Sequence, residues 1–125
     1  MWQRLTLVVL TIFVAPLAYG HESGTPYADW IRGLKQPHSP TTSCCGVADQ
    51  YFVKDYRPSQ QSGMAFIARV INNKSGFPDF EIEVPEHTIM HNQHNPTGRG
   101  VIFVIDPGGF ERYRYVVCFV PETGI

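Results

Sequence analysis

Val101-Ile102-Phe103-Val104-Ile105, followed by Asp106-Pro107-Gly108-Gly109, decides the fold class of this chain. The five residues of the run are all β-branched or aromatic. They leave no face for water, so they read as a strand covered on both sides and central in its sheet. The cluster after them is a turn signal, because proline presets φ and glycine takes conformations that other residues avoid. Residues 112–120 then return as the second arm of a hairpin.

Working outward, residues 51–56 read as a strand closed by the turn-rich stretch 57–63. Met64–Ile71 reads as the next, ended by Asn72-Asn73-Lys74-Ser75-Gly76. Phe80-Glu81-Ile82-Glu83-Val84 alternates apolar and acidic, which predicts one buried and one wet face. Five strands with mostly short connections predict a mainly β, small α+β fold. The sheet is an antiparallel meander or small barrel, with a two-layer α+β sheet as the competing arrangement. In Arg112-Tyr113-Arg114-Tyr115 the alternation predicts exposed arginines opposite buried tyrosines.

Before the strands, Thr25-Pro26 reads as a helix start, and Tyr27, Trp30, Ile31 and Leu34 recur at helical spacing. Gly33 and Pro37 limit that helix to a couple of turns, too few to be stable unless its Trp30 face packs on the sheet. Residues 36–43 read as a polar, proline-rich connector, with Ser43 capping a single turn around Cys44–Ala48.

The chain has 125 residues and a formal net charge of −1. That length suits one core, and the charge offers no electrostatic footprint for nucleic acid. Residues 1–20 have the layout of a secretory signal peptide: Arg4, an apolar run over residues 5–18, then Ala18-Tyr19-Gly20 before a cut at His21. The run falls short of the roughly 20 residues of a bilayer-spanning helix. Residues 21–125 are therefore expected as a single β-rich domain, periplasmic or secreted, with no stable membrane insertion after cleavage.

Export makes the three cysteines candidates for a disulfide. Cys118, on the last strand, is expected to pair with Cys44 or Cys45. Such a bridge would stabilise the fold by roughly 4 kcal/mol in the chain-entropy model. Neighbouring residues point in different directions, so only one of the two reaches Cys118. A Cys44–Cys45 ring is disfavoured, since adjacent Cα atoms lie only about 3.8 Å apart. The spare thiol is either buried and inert, a link to a second copy of the chain, or reactive.

His87, His91 and His94 fall close together as H-x3-H-x2-H. Thr88 stands where a zinc protease of the H-E-x-x-H type needs its glutamate, so that chemistry lacks its base. The segment is rich in Asn, Pro and Gly and reads as a solvated loop. Cleavage before His21 would create a chelate from the terminal amine and its imidazole, to which one loop histidine adds a third nitrogen suited to Cu(II). Copper or zinc binding through His21, His87, His91 and His94 is thus the alternative to a domain without a cofactor.

Four further stretches belong together. They are Asp29-Trp30-Ile31-Arg32-Gly33-Leu34-Lys35-Gln36-Pro37, Ser43-Cys44-Cys45-Gly46 with Ala48-Asp49, Asn95-Pro96-Thr97-Gly98 with Gly100-Val101-Ile102-Phe103, and Cys118-Phe119-Val120-Pro121. In combination they resemble a group of small exported proteins of alphaproteobacteria. The resemblance implies a bacterial, exported protein and no particular activity, and His87, His91 and His94 lie outside it. No set of acid, base and nucleophile can be assembled from the sequence. The expected role is therefore non-catalytic binding or structure, with an enzyme using the spare cysteine or an acid pair as the third possibility.

Overall fold

The computed structural model describes residues 27–46, 48–106 and 113–122. The signal segment, His21, Thr25-Pro26, the turn residues 107–109 and Arg112 lie outside the described residues. The elements in chain order are helix α1 (Ala28–Gly33), strands β1 (Lys35–Gln36), β2 (Ser39–Ser43), β3 (Asp49–Pro58), β4 (Met64–Ile71) and β5 (Phe80–Pro85), a 3-10 helix (Glu86–Thr88), then β6 (Gly100–Ile105) and β7 (Tyr115–Val120). Among the described residues no helix is long and apolar enough to cross a membrane.

Strands β3 to β7 form one antiparallel sheet of five, in the order β5-β4-β3-β6-β7. The fold is mainly β, as the sequence predicts, and the sheet curls into a half-barrel. The three-stranded meander β3-β4-β5 and the hairpin β6-β7 are joined by a long return, so β6 pairs with β3 rather than with its predecessor β5. Side-chain chemistry explains that order. The outer face of β4, β5 and the second half of β3 is wet, carrying the ion pairs Arg57–Glu81 and Arg69–Asp55, and β6 pairs only with the first half of β3. A strand apolar on both faces would expose half its side chains there. Beside β3 its outer face is covered instead.

Alternation divides β6 between two cores. Ile102 and Val104 point into the curl with Tyr51, Val53, Ala68, Val70, Val84 and Phe119. Val101 and Phe103 point outward, under Ile31 of α1 and the Leu34 that follows it, and beside Cys44, Ala48, Cys118 and Val120. Val101 to Val104 are almost wholly buried, and each such side chain contributes about 1.5–3 kcal/mol. Inside the curl, Phe66, Tyr56 and Phe119 form an aromatic cluster with ring centroids 5.0–6.0 Å apart. Register shifts between Val53 and Asp55, Met64 and Phe66, and Phe103 and Val104 add the local bend that a curled sheet needs.

The two edges of the sheet meet. After the 3-10 helix, Ile89 bridges Phe119 in parallel and the Met90 N–H donates to the Phe119 carbonyl at 2.9 Å. Arg114, just before β7, stacks its guanidinium 4.0 Å from the centroid of Phe80 at the start of β5. The same Arg114 donates to Asp106 at 3.0 Å, with both side chains nearly buried. This reverses the expected sidedness of the segment: Tyr113 and Tyr115 are the exposed residues. The arginine turns inward because a carboxylate and an aromatic face receive it there.

Two further expectations are corrected. Residues 36–43 are not a plain connector, since β1 and β2 pair as a small hairpin with Lys35 opposite Ser43 and Gln36 opposite Ser39. Polar side chains hold it together: Ser39 Oγ and Thr42 Oγ1 lie 2.6 Å apart, and Gln36 Nε2 donates to the Ser43 carbonyl. Nor does Ser43 cap a helical turn. Its Oγ accepts from the Cys45 N–H at 3.2 Å, and residues 44–46 form a bend. A serine hydroxyl satisfies a local turn as readily as a helix start.

Candidate functional site

The segment Cys44-Cys45-Gly46 is where the fold concentrates its chemistry. Cys44 and Cys118 are joined in a disulfide, with Cα atoms 5.9 Å apart and both residues fully buried. Of the two partners the sequence left open, Cys44 is the one that faces the outer core, beside Leu34 and Phe103. Its sulfur also touches Met90 Sδ at 3.8 Å. Cys118 pairs in register with Phe103 on β6, so the bridge ties the helix-side segment to the edge strand β7.

Cys45, next in the bend, takes no part in the bridge and packs at the margin of the same outer core. It is the free cysteine, half-buried, with its sulfur 3.4 Å from Ser43 Oγ. It lines a cleft of about 160 Å³ floored by Ile31 and Ala48 and rimmed by Asp49, Gln50, Asn73 and Lys74. The rim is organised by hydrogen bonds from the β4–β5 turn back to the start of β3. Asn73 Nδ2 donates to the Gln50 carbonyl at 3.1 Å, and Lys74 Nζ donates to Asp49 Oδ2 at 3.1 Å. The bond to Asp49 holds the Lys74 ammonium above its ordinary pKa. Gln50 Nε2 is buried and has no hydrogen-bond partner among the described residues. The cleft therefore offers a thiol, an amide donor and charges of both signs over a small apolar floor.

The loop histidines lie elsewhere. His87, on the 3-10 helix, and His91 and His94, beyond it, are all exposed. His87 meets neither of the other two but His38, from the β1–β2 turn, with ring centroids 5.6 Å apart and planes tilted by 39°. Both rings line a second cleft of about 200 Å³ with Gln36, Pro37, Thr88 and Tyr115. His38 was missed because it sits in a polar stretch far from His87 in sequence, with no spacing pattern to mark it. Among the described residues, no three His, Cys, Asp or Glu side chains converge on one point where an ion could bind.

Asn95, which in the sequence is only one residue of a polar Asn-Pro-Thr-Gly stretch, holds the third constellation. It is buried, and its amide joins the loop before β6 to the end of β7. The following Gly98 has φ of 71°, a left-handed conformation that other residues rarely adopt.

No protein-family model matches the chain, and neither do the curated proteins or the solved structures.

Proposed function

We propose that this chain is an exported β domain that acts by binding or as a structural module, without catalysis, in the periplasm or outside the cell. The observation that carries the reading is the Cys44–Cys118 bridge at two fully buried cysteines. Structural disulfides of this kind belong to oxidising compartments, because cytosolic thiol systems keep cysteines reduced. The signal-peptide layout of residues 1–20 agrees with the same address. The recognition surface we assign is the cleft at Cys45, Asp49, Gln50, Asn73 and Lys74. Its paired opposite charges and amide groups suit a ligand that both donates and accepts hydrogen bonds.

Intact mass of the protein recovered from an exporting bacterial host tests the address and the bridge together. The expected species starts at His21 and takes up one alkyl group without reductant and three with it. A doubled mass without reductant would show Cys45 linking two copies. A chain that keeps residues 1–20, or alkylates all three thiols without reductant, would sink the reading.

A further inference from the structure

We propose that His38 and His87 form a surface site for a borderline divalent transition-metal ion, Zn(II) or Cu(II). The inference goes beyond the binding-domain reading and does not depend on it. It rests on the facing rings, whose centroids lie 5.6 Å apart. Two imidazoles bound to one ion through nitrogens at about 2.0–2.1 Å, at a near-tetrahedral angle, hold their ring centres roughly 5 Å apart. Small side-chain rotations of two exposed rings close that difference.

The backbones that carry the rings are already anchored, so little freedom is lost on binding. His38 sits at the turn of a hairpin held by the Ser39–Thr42 and Gln36–Ser43 contacts. His87 is flanked by Thr88, almost fully buried, whose hydroxyl donates to the Pro85 carbonyl at 2.7 Å. Ile89 N–H closes the 3-10 turn on the Glu86 carbonyl.

The lining of the cleft selects the ion. It presents two imidazoles and the phenol-bearing Tyr115, with no carboxylate or thiol among its residues. Calcium and magnesium require oxygen-rich cages, whereas imidazole suits zinc, copper and nickel. The cleft is open to solvent on one side, so water completes the coordination shell. An ion held by two protein ligands is exchangeable and does not support the fold. His91 and His94 line neither this cleft nor its walls and take no part.

The test uses Zn(II) alone, added to protein recovered from an exporting host and alkylated at Cys45 so that the thiol does not compete. Imidazole proton–nitrogen spectra follow each ring separately. His38 and His87 are expected to shift together and saturate at one ion per chain. H38Q and H87Q are each expected to weaken binding at least about tenfold, while H91Q and H94Q stay within about twofold. Both His38 and His87 are exposed, so unchanged amide spectra elsewhere separate loss of a ligand from loss of fold. Cu(II) is expected to broaden the same two rings. Shifts confined to His21, His91 or His94, no saturable shift, or unchanged affinity in H38Q overturns the proposal.

Discussion

Asn95 uses its whole side-chain amide within its own neighbourhood. Its Nδ2 donates to the carbonyls of Arg99 at 2.7 Å and Pro121 at 2.9 Å, with a longer contact to Val120 at 3.4 Å. Its Oδ1 accepts from the backbone N–H and the hydroxyl of Thr97, at 3.0 and 2.7 Å. A buried carbonyl left without a donor costs on the order of 1–3 kcal/mol. Asn95→Ala strands the Pro121 carbonyl, while that of Arg99 keeps the Thr97 hydroxyl at 3.0 Å, and we expect a loss of about 1–3 kcal/mol in urea unfolding. Asn95→Asp is expected to be at least as damaging, because it turns a donor into a charge aimed at carbonyl oxygens. A change below about 0.5 kcal/mol for either variant would show that water takes over the role. Asparagine in an Asn-Pro-Thr-Gly stretch reads as an exposed turn residue, and its burial depends on β7 arriving from far along the chain.

The outer face of β4 and β5 shows what one element's pattern implies about pH. Glu81 points outward, as the alternation of residues 80–84 predicts, and accepts from both Arg57 guanidinium nitrogens at 2.9 and 3.2 Å. Arg57 thereby holds the Glu81 carboxyl below its ordinary value. A depressed folded-state pKa means stability that is present above the unfolded pKa and is lost as pH falls through the folded one. Nuclear magnetic resonance titration of Glu81 is expected to show this low midpoint in the native chain and a rise toward the ordinary carboxylate range in Arg57→Ala, where Arg69 still acts on it. An unmoved midpoint would mean that the pair is absent in solution. Because both side chains are about half exposed, added salt is expected to weaken the effect. Strands of this kind are legible: Met64–Ile71 has the bounds its sequence predicts, and β5 runs one residue further than expected. The β1–β2 hairpin was not legible, because strands of two and five mostly exposed polar residues carry no hydrophobic period.

At the scale of the molecule, two closures hold a short chain together. Arg114 with Asp106 and Phe80 closes the curl of the sheet, and Cys44–Cys118 closes a sequence separation of 74 residues. The second restricts the unfolded chain, which in the chain-entropy model is worth about 4 kcal/mol. Reduction, or the pair C44S and C118S, is therefore expected to lower the stability measured in urea by roughly that amount. Cys45→Ser, which breaks no bridge, is expected to leave it nearly unchanged. Equal stability with and without reductant would show that the bridge adds nothing to the core around Phe103 and Cys118.

Read alone, the amino-acid order determined the five strands of the main sheet, that Val101 to Ile105 lie inside it, that Ile31 and Leu34 are buried, and that Cys118 bridges back to the Cys44-Cys45 pair. All of these follow from periodicity, side-chain shape and compartment chemistry, which act over a few residues or on composition. Only the tertiary structure decided that β6 returns to β3, that Cys44 and not Cys45 takes the bridge, and that His87 faces His38. It also turned Arg114 inward and Tyr115 outward. Each of those outcomes depends on which surfaces meet when a twisted sheet closes on itself, and no local pattern records where distant residues come into contact.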